Sequence, residues 1–172
     1  DGDDDQVSIS DENNIFDLGT AFTLAAWTYI DAHDPSHSFL ISPDSYPGSN
    51  SSYDLGFKGS KPYVAIYDSG WTTYVSDNVL ATGAWHHIAG VRSSDNTLRI
   101  YVDGVEVKEF TGVVAPDAAT VDVTIGKRSV SDLEHDGRID DVRIYSTDLS
   151  DAEVLAMGTG GNPAQAGNTI TL

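Results

Sequence analysis

Apolar residues recur with a period of two in short stretches from Val7 to Tyr145, each bounded by Gly, Asn, Asp or Ser. Successive side chains of an extended chain point to opposite faces, so this pattern specifies half-buried strands and a β protein. Eleven strands are expected, over 7–9, 22–29, 39–41, 53–57, 63–67, 72–76, 85–92, 97–102, 105–110, 121–125 and 139–145. In the second, Phe22, Leu24, Ala26 and Thr28 alternate with Thr23, Ala25, Trp27 and Tyr29, which asks for cover on both faces. So many short strands at close spacing imply an all-β, two-sheet antiparallel sandwich. Turn chemistry supports the pairing: Asp95-Asn96 and Asp103-Gly104 each separate two apolar runs, and Asp-Gly is a strong hairpin signal.

One short C-terminal helix is expected over 151–157. Ser150-Asp151-Ala152-Glu153 has the form of a capping box, Leu149 and Val154 suit a hydrophobic staple, and Gly158 suits a left-handed end. The domain is read as 1–158, and 159–172 as a linker or the start of a following segment. A length of 172 residues fits one domain of about 100–200 residues.

Nine Lys and Arg against 27 Asp and Glu leave a net charge of −18. Nucleic acid and anionic lipid are polyanions that need clustered cations, so neither is expected as a partner. All but five of the acidic residues are Asp, and the lysines are only Lys58, Lys61, Lys108 and Lys127. This resembles the acidic shell of proteins from extreme halophiles, where salt screens self-repulsion, so a high-salt environment is expected. With 40% hydrophobic residues the chain still has material for a core. Cysteine is absent, which removes disulfides and thiolate metal sites, and no apolar run is long enough for membrane insertion. The start at Asp1, with no apolar leader, fits a piece of a longer protein.

Four motifs occur in order: Phe22-Thr23-Leu24-Ala25-Ala26-Trp27, Trp85-His86-His87-Ile88-Ala89, Leu98-Arg99-Ile100-Tyr101-Val102-Asp103-Gly104, and Gly137-Arg138-Ile139-Asp140-Asp141-Val142-Arg143-Ile144-Tyr145 with Leu149-Ser150. Together they resemble laminin G-like domains of the concanavalin A-like lectin and glucanase superfamily, over nearly the whole chain. The resemblance implies a jelly-roll sandwich of two antiparallel sheets. It implies function less, because members include glycan binders, adhesion modules and domains appended to enzymes.

The resemblance also implies a structural calcium ion, with the first strand beside the last. Carried onto this chain, Asp1 and Asp3 would join Asp140 and backbone carbonyls as ligands. The alternative makes residues 1–5 a solvated acidic end and Asp140 a buried strand residue. An EF-hand is rejected, because Gln6 stands where the turn needs Gly and a strand follows. The loop of Asp31, His33, Asp34 and His37 matches no strong metal motif, and the acidic run from Asp132 to Asp136 reads equally as a charged loop.

Sugars are held by aromatic faces together with side chains that fix hydroxyls. Trp71 follows a turn and precedes Tyr74, and Tyr46 and Tyr53 flank a loop rich in Ser, Pro, Gly and Asn, so these four are the expected ligand-binding residues. The alternative makes Trp71 a lid over the core edge. Trp27 and Trp85 lie in strand motifs and are expected in the core. Retaining hydrolysis needs two carboxyl groups about 5–5.5 Å apart. Glu106 and Glu109, three apart, are expected on opposite faces of a regular strand. No nucleophile-elbow, zinc-helix or phosphate-loop motif occurs, and His86 and His87 are expected to be structural. The expectation is a noncatalytic, calcium-stabilised adhesion module on a cell or virion surface. It would bind a glycan or glycosylated surface protein beside neighbouring domains of the same parent protein. The alternative is a structural or protein-protein assembly module.

Overall fold

The computed structural model describes residues 6–43, 52–118, 121–128 and 133–160, and the backbone of 169–171. Along the chain run β1 (Val7–Ile9), β2 (Phe22–Ile30), β3 (Ser38–Pro43), β4 (Tyr53–Lys58), β5 (Lys61–Tyr67), β6 (Trp71–Val75), β7 (Trp85–Arg92), β8 (Thr97–Val102), β9 (Val105–Thr111), β10 (Val123–Ile125), β11 (Gly137–Tyr145), α1 (Asp151–Gly158) and β12 (Thr169–Thr171). They form a jelly-roll sandwich of two antiparallel sheets. One has the order β1-β10-β3-β4-β5-β6 and the other β12-β11-β2-β7-β8-β9. Each expected strand is present. Thr169–Thr171, read from sequence as lying beyond the domain, pairs with Arg143 to Tyr145 of β11.

The inward faces meet as the alternation demands. Leu24, Ala26, Ile88, Ile100 and Ile144 of one sheet share a core with Ile41, Leu55, Val64 and Ile66 of the other. At Gly90 the sheets approach so closely that a Cβ would fall 2.3 Å from Val64 Cγ2. The Asp103-Gly104 hairpin has positive φ at both residues, 52° and 79°, as a primed turn requires.

The outward face of the second sheet is divided. Its first half, with Ala25, Ala89, Val91, Tyr101 and Tyr145, is covered by Leu149, Val154 and Met157 of the helical segment. The capping box is present, with the Ser150 amide donating to Glu153 Oε2 at 2.8 Å. The helix end differs from expectation: it is capped at Thr159, and the left-handed residue is Gly160, φ 83°. Gly158 instead lies against the hairpin turn, where a Cβ would meet Gly104 N at 2.6 Å. An eight-residue helix is about 12 Å long, too short to cover the other half of this face, where Trp85 is 42% exposed.

Two topological expectations are corrected. β1 lies beside β10, in the sheet opposite to β11, so the first strand is not the neighbour of the last long one. Glu106 and Glu109 share a face, because a bulge opposite Ile100 and Tyr101 takes up one residue of β9. Arg99 Nε lies 2.9 Å from Glu109 and 3.8 Å from Glu106, so the two carboxylates share one cation.

Candidate functional site

Directly paired residues of neighbouring strands share a face. On the open half of the second sheet, register aligns Asp140 with Trp27 and His87, and Arg138 with Tyr29 and Trp85. The expectation that Trp27 and Trp85 are core residues is therefore corrected: Trp85 is 42% exposed and Trp27 half-buried. They line an open cleft with Asp140 and Asp141. Tyr29 meets Trp85 edge to face at 5.8 Å, and Arg138 places its guanidinium 4.8 Å from the Tyr29 ring. The floor beside Trp27 is His87, its ring 5.6 Å away.

A bulge aims the carboxylates. Between Asp140 and Arg143 the register of β11 against β2 shifts, and Asp141 adopts φ 49°. The Asp141 amide donates to Asp140 Oδ1 at 2.7 Å, which leaves Asp140 exposed at the rim. Arg143 donates to both oxygens of Asp141, from Nε at 2.8 Å and Nη2 at 2.7 Å. The cleft thus offers two indole surfaces, one carboxylate already paired and one unpaired among the described residues. That is the mixture of aromatic wall and few oriented polar groups that small polar ligands need.

Asp103 organises the far side. It accepts the His87 amide at Oδ1, 2.9 Å, and Oδ2 lies 3.0 Å from His86 Nδ1. Burial drives the His87 pKa down to about 4, against the pull of Asp103 and Asp141, so its ring is neutral at physiological pH. The unfolded chain then binds more protons than the fold between about 6.5 and 4, and stability is lost as pH falls through that window. The cost is about 3 kcal/mol at the acid end.

The three described residues of the four expected from sequence as ligand-binding, Tyr53, Trp71 and Tyr74, do not converge. Tyr53 is fully buried between the sheets, donating to the Phe16 carbonyl at 3.1 Å, because its position in β4 faces the core. Tyr74 also faces the core side of its edge strand and meets Phe110 edge to face at 5.2 Å. Trp71 lies on the outward face of the other sheet, packed on Phe39, Tyr63 and Ala65, and Arg128 stands 4.8 Å from its ring. Tyr46, like Asp1 and Asp3, lies outside the described residues.

Near Trp71, Asp54 is buried with Ser42 Oγ donating to it at 2.7 Å and Arg128 Nη2 3.6 Å away. Burial raises its pKa to about 6, although Arg128 and Ser42 pull it down. This acid favours the fold increasingly as pH falls from about 6 towards 3.8, opposite in sign to His87. His87→Gln is therefore expected to flatten the acid loss of melting temperature between pH 6.5 and 4, and Asp54→Asn to steepen it. Parallel acid slopes in the two variants would contradict both assignments.

Calcium takes six to eight oxygen ligands. Among the described residues no three His, Asp or Glu side chains converge as a metal group, so Asp140 with its neighbours does not by itself fit the ion. The two His and two Asp of 31–37 have other roles. Asp34 accepts the amides of Ser36 and His37, and His33 Nε2 is 3.0 Å from the Leu80 carbonyl. In the loop before β11, His135 Nε2 lies 2.8 Å from Thr28 Oγ1 and Glu134 pairs with Lys127.

Comparisons with known proteins agree with this architecture. A laminin G-like family model, described as the concanavalin A-like lectin/glucanases superfamily, matches residues 1–155. No curated protein matches the sequence. A heptameric SAP-like pentraxin from Limulus polyphemus is similar in structure, with TM-score 0.67, 11% identity, and 90% of this chain and 80% of that one covered. The CBM40 of a Ruminococcus gnavus IT-sialidase, bound to α2,3-sialyllactose, has TM-score 0.67 and 12% identity, covering 81% of this chain and 83% of that one. Domain 4 of the extracellular arabinanase AbnA from Geobacillus stearothermophilus, in complex with arabinotriose, has TM-score 0.65 and 16% identity, covering 81% and 67%. Among the described residues no helix is long and apolar enough to cross a membrane. With the family match spanning residues 1–155 and the two-sheet architecture in place, the chain belongs to the concanavalin A-like lectin/glucanase superfamily as a laminin G-like domain.

Proposed function

We propose that this chain is a noncatalytic, extracellular glycan-recognition module of a larger cell-surface or virion protein, with its sugar site in the Trp27, Trp85, Asp140 and Asp141 cleft. The carrying observation is the uncovered half of the second sheet, where register gathers two indoles beside two carboxylates re-aimed by a bulge. Large aromatic side chains left in water have a cost that a stacking ligand relieves. Two structurally similar proteins hold sugars, sialyllactose and arabinotriose, which supports a carbohydrate ligand. Catalysis is not part of the reading, since the neighbouring glutamates Glu106 and Glu109 are held by Arg99 away from the cleft. A glycan array, run with and without calcium, is expected to return a sugar signal. Silence across the array would favour the structural assembly module instead.

The high-salt habitat and the calcium ion belong to the same proposal and share a test. At −18 the fold repels itself, so melting temperature is expected to climb by several degrees between 0.1 M and 2 M NaCl, at about 2–4 °C per kcal/mol. A structural calcium ion would add a further rise at millimolar calcium and matched ionic strength. A flat salt response removes the halophilic reading, and an unchanged melting temperature on adding calcium to chelator-treated protein removes the ion.

A further inference from the structure

Resting on the glycan reading of the same cleft, we infer that its ligand carries a free amine: a hexosamine whose ammonium meets Asp140 while its ring lies on the indoles of Trp27 and Trp85. Among the described residues the lining has two carboxylates and no cationic side chain. Asp141 is already neutralised by the two hydrogen bonds from Arg143. Asp140 is exposed, its Oδ1 takes only a backbone amide, and no described cation forms an ion pair with it. Arg138, two residues earlier on the same face, holds its guanidinium over the Tyr29 ring and is not part of the lining. One uncompensated carboxylate therefore stands beside two π faces. That pairing attracts an ammonium twice, by a charge-assisted hydrogen bond and by the ring quadrupole.

An acidic sugar meets the opposite field. Its carboxylate would face Asp140 at short range, inside a molecule of net charge −18 that already lowers the local concentration of anions. The cleft accordingly selects on ligand charge as well as on ring shape.

Calorimetry at pH 6 with glucosamine trimer, N-acetylglucosamine trimer and sialyllactose tests this. The free-amine trimer is expected to bind at least about fivefold tighter than its acetylated counterpart, with sialyllactose weakest. Asp140→Asn, at an exposed rim position, is expected to abolish the preference, the free-amine trimer losing at least about fivefold and falling to the level of the acetylated one. Equal affinities, stronger binding of the acetylated or sialylated sugar, or a preference that survives Asp140→Asn each overturns the amine inference and leaves glycan binding standing. Binding of none of the three overturns the amine inference, and the array then decides the glycan reading separately.

Discussion

Trp85→Ala is expected to weaken sugar binding about 30-fold or more, and Trp27→Ala with Trp85→Ala to abolish it in calorimetry at millimolar ligand. Buried tryptophans in recognition sites typically contribute at least about 2 kcal/mol, which converts to that factor. The single variant is the sharper experiment, because Trp85 is 42% exposed and its main packing partner is the edge of Tyr29 at 5.8 Å. Its removal should leave the melting temperature within about 3 °C of the parent, a loss of at most about 1 kcal/mol. Trp27 is half-buried beside His87, so its own substitution carries a larger structural penalty. Trp71→Ala supplies the contrast: Trp71 supports Phe39, Tyr63 and Ala65 and is covered by Arg128. That variant should lower stability and leave affinity intact. Sugar binding that survives Trp85→Ala but not Trp71→Ala would move the site to the other sheet.

How far the cleft could be read from sequence turns on two details. The period-two alternation located the eleven strands, because burial on one face is written directly into side-chain spacing. It could not say which outward-facing residues would be covered. Phe22 to Tyr29 looked like a strand buried on both sides, and that is true only up to Ala25, where the helix ends its cover. A helix of one to two turns cannot hide a whole sheet face, so the aromatic pair farther along could have been marked as exposed. The carboxylates also left a trace. Apolar residues in the last long strand stand at 139, 142 and 144, a gap of three followed by a gap of two, which is the signature of a bulge at Asp140-Asp141. The same kind of bulge in β9 brought Glu106 and Glu109 to one face against the regular-strand expectation. Trp71 and Tyr53 misled for a simpler reason. Proximity to a loop in sequence does not tell which side of the strand a ring occupies, and register placed Tyr53 inward.

Arg92→Met is expected to cost about 3–5 kcal/mol and to lower the melting temperature by roughly 10 °C or more, with sugar affinity of the folded protein unchanged. Arg92 is fully buried at the end of β7, where Phe22 is its partner across the sheet. Its guanidinium donates to the carbonyls of Thr20, Ser93 at 3.3 Å, Val113 at 2.8 Å and Val114 at 3.1 Å, and to Asn96 Oδ1 at 2.9 Å. Three connections meet on this one side chain: the entry to β2, the β7–β8 turn and the segment after β9. Methionine preserves the aliphatic stem but supplies no donor. The Ser93 and Val113 carbonyls then stay buried without a donor, at about 1–3 kcal/mol each, while water reaches the acceptors of the exposed Thr20, Asn96 and Val114; the buried pair sets the stated range. Lysine keeps the charge yet cannot span the same fork of acceptors, so Arg92→Lys should recover less than half of the loss. The strand itself separates this anchor from the cleft: seven residues at about 3.3 Å each put Trp85 about 23 Å from Arg92. Stability and recognition should therefore part cleanly between the two ends of β7. A loss of affinity in folded Arg92→Met would mean that the cleft depends on the far turns, and the rigid-sheet account of the site would fail.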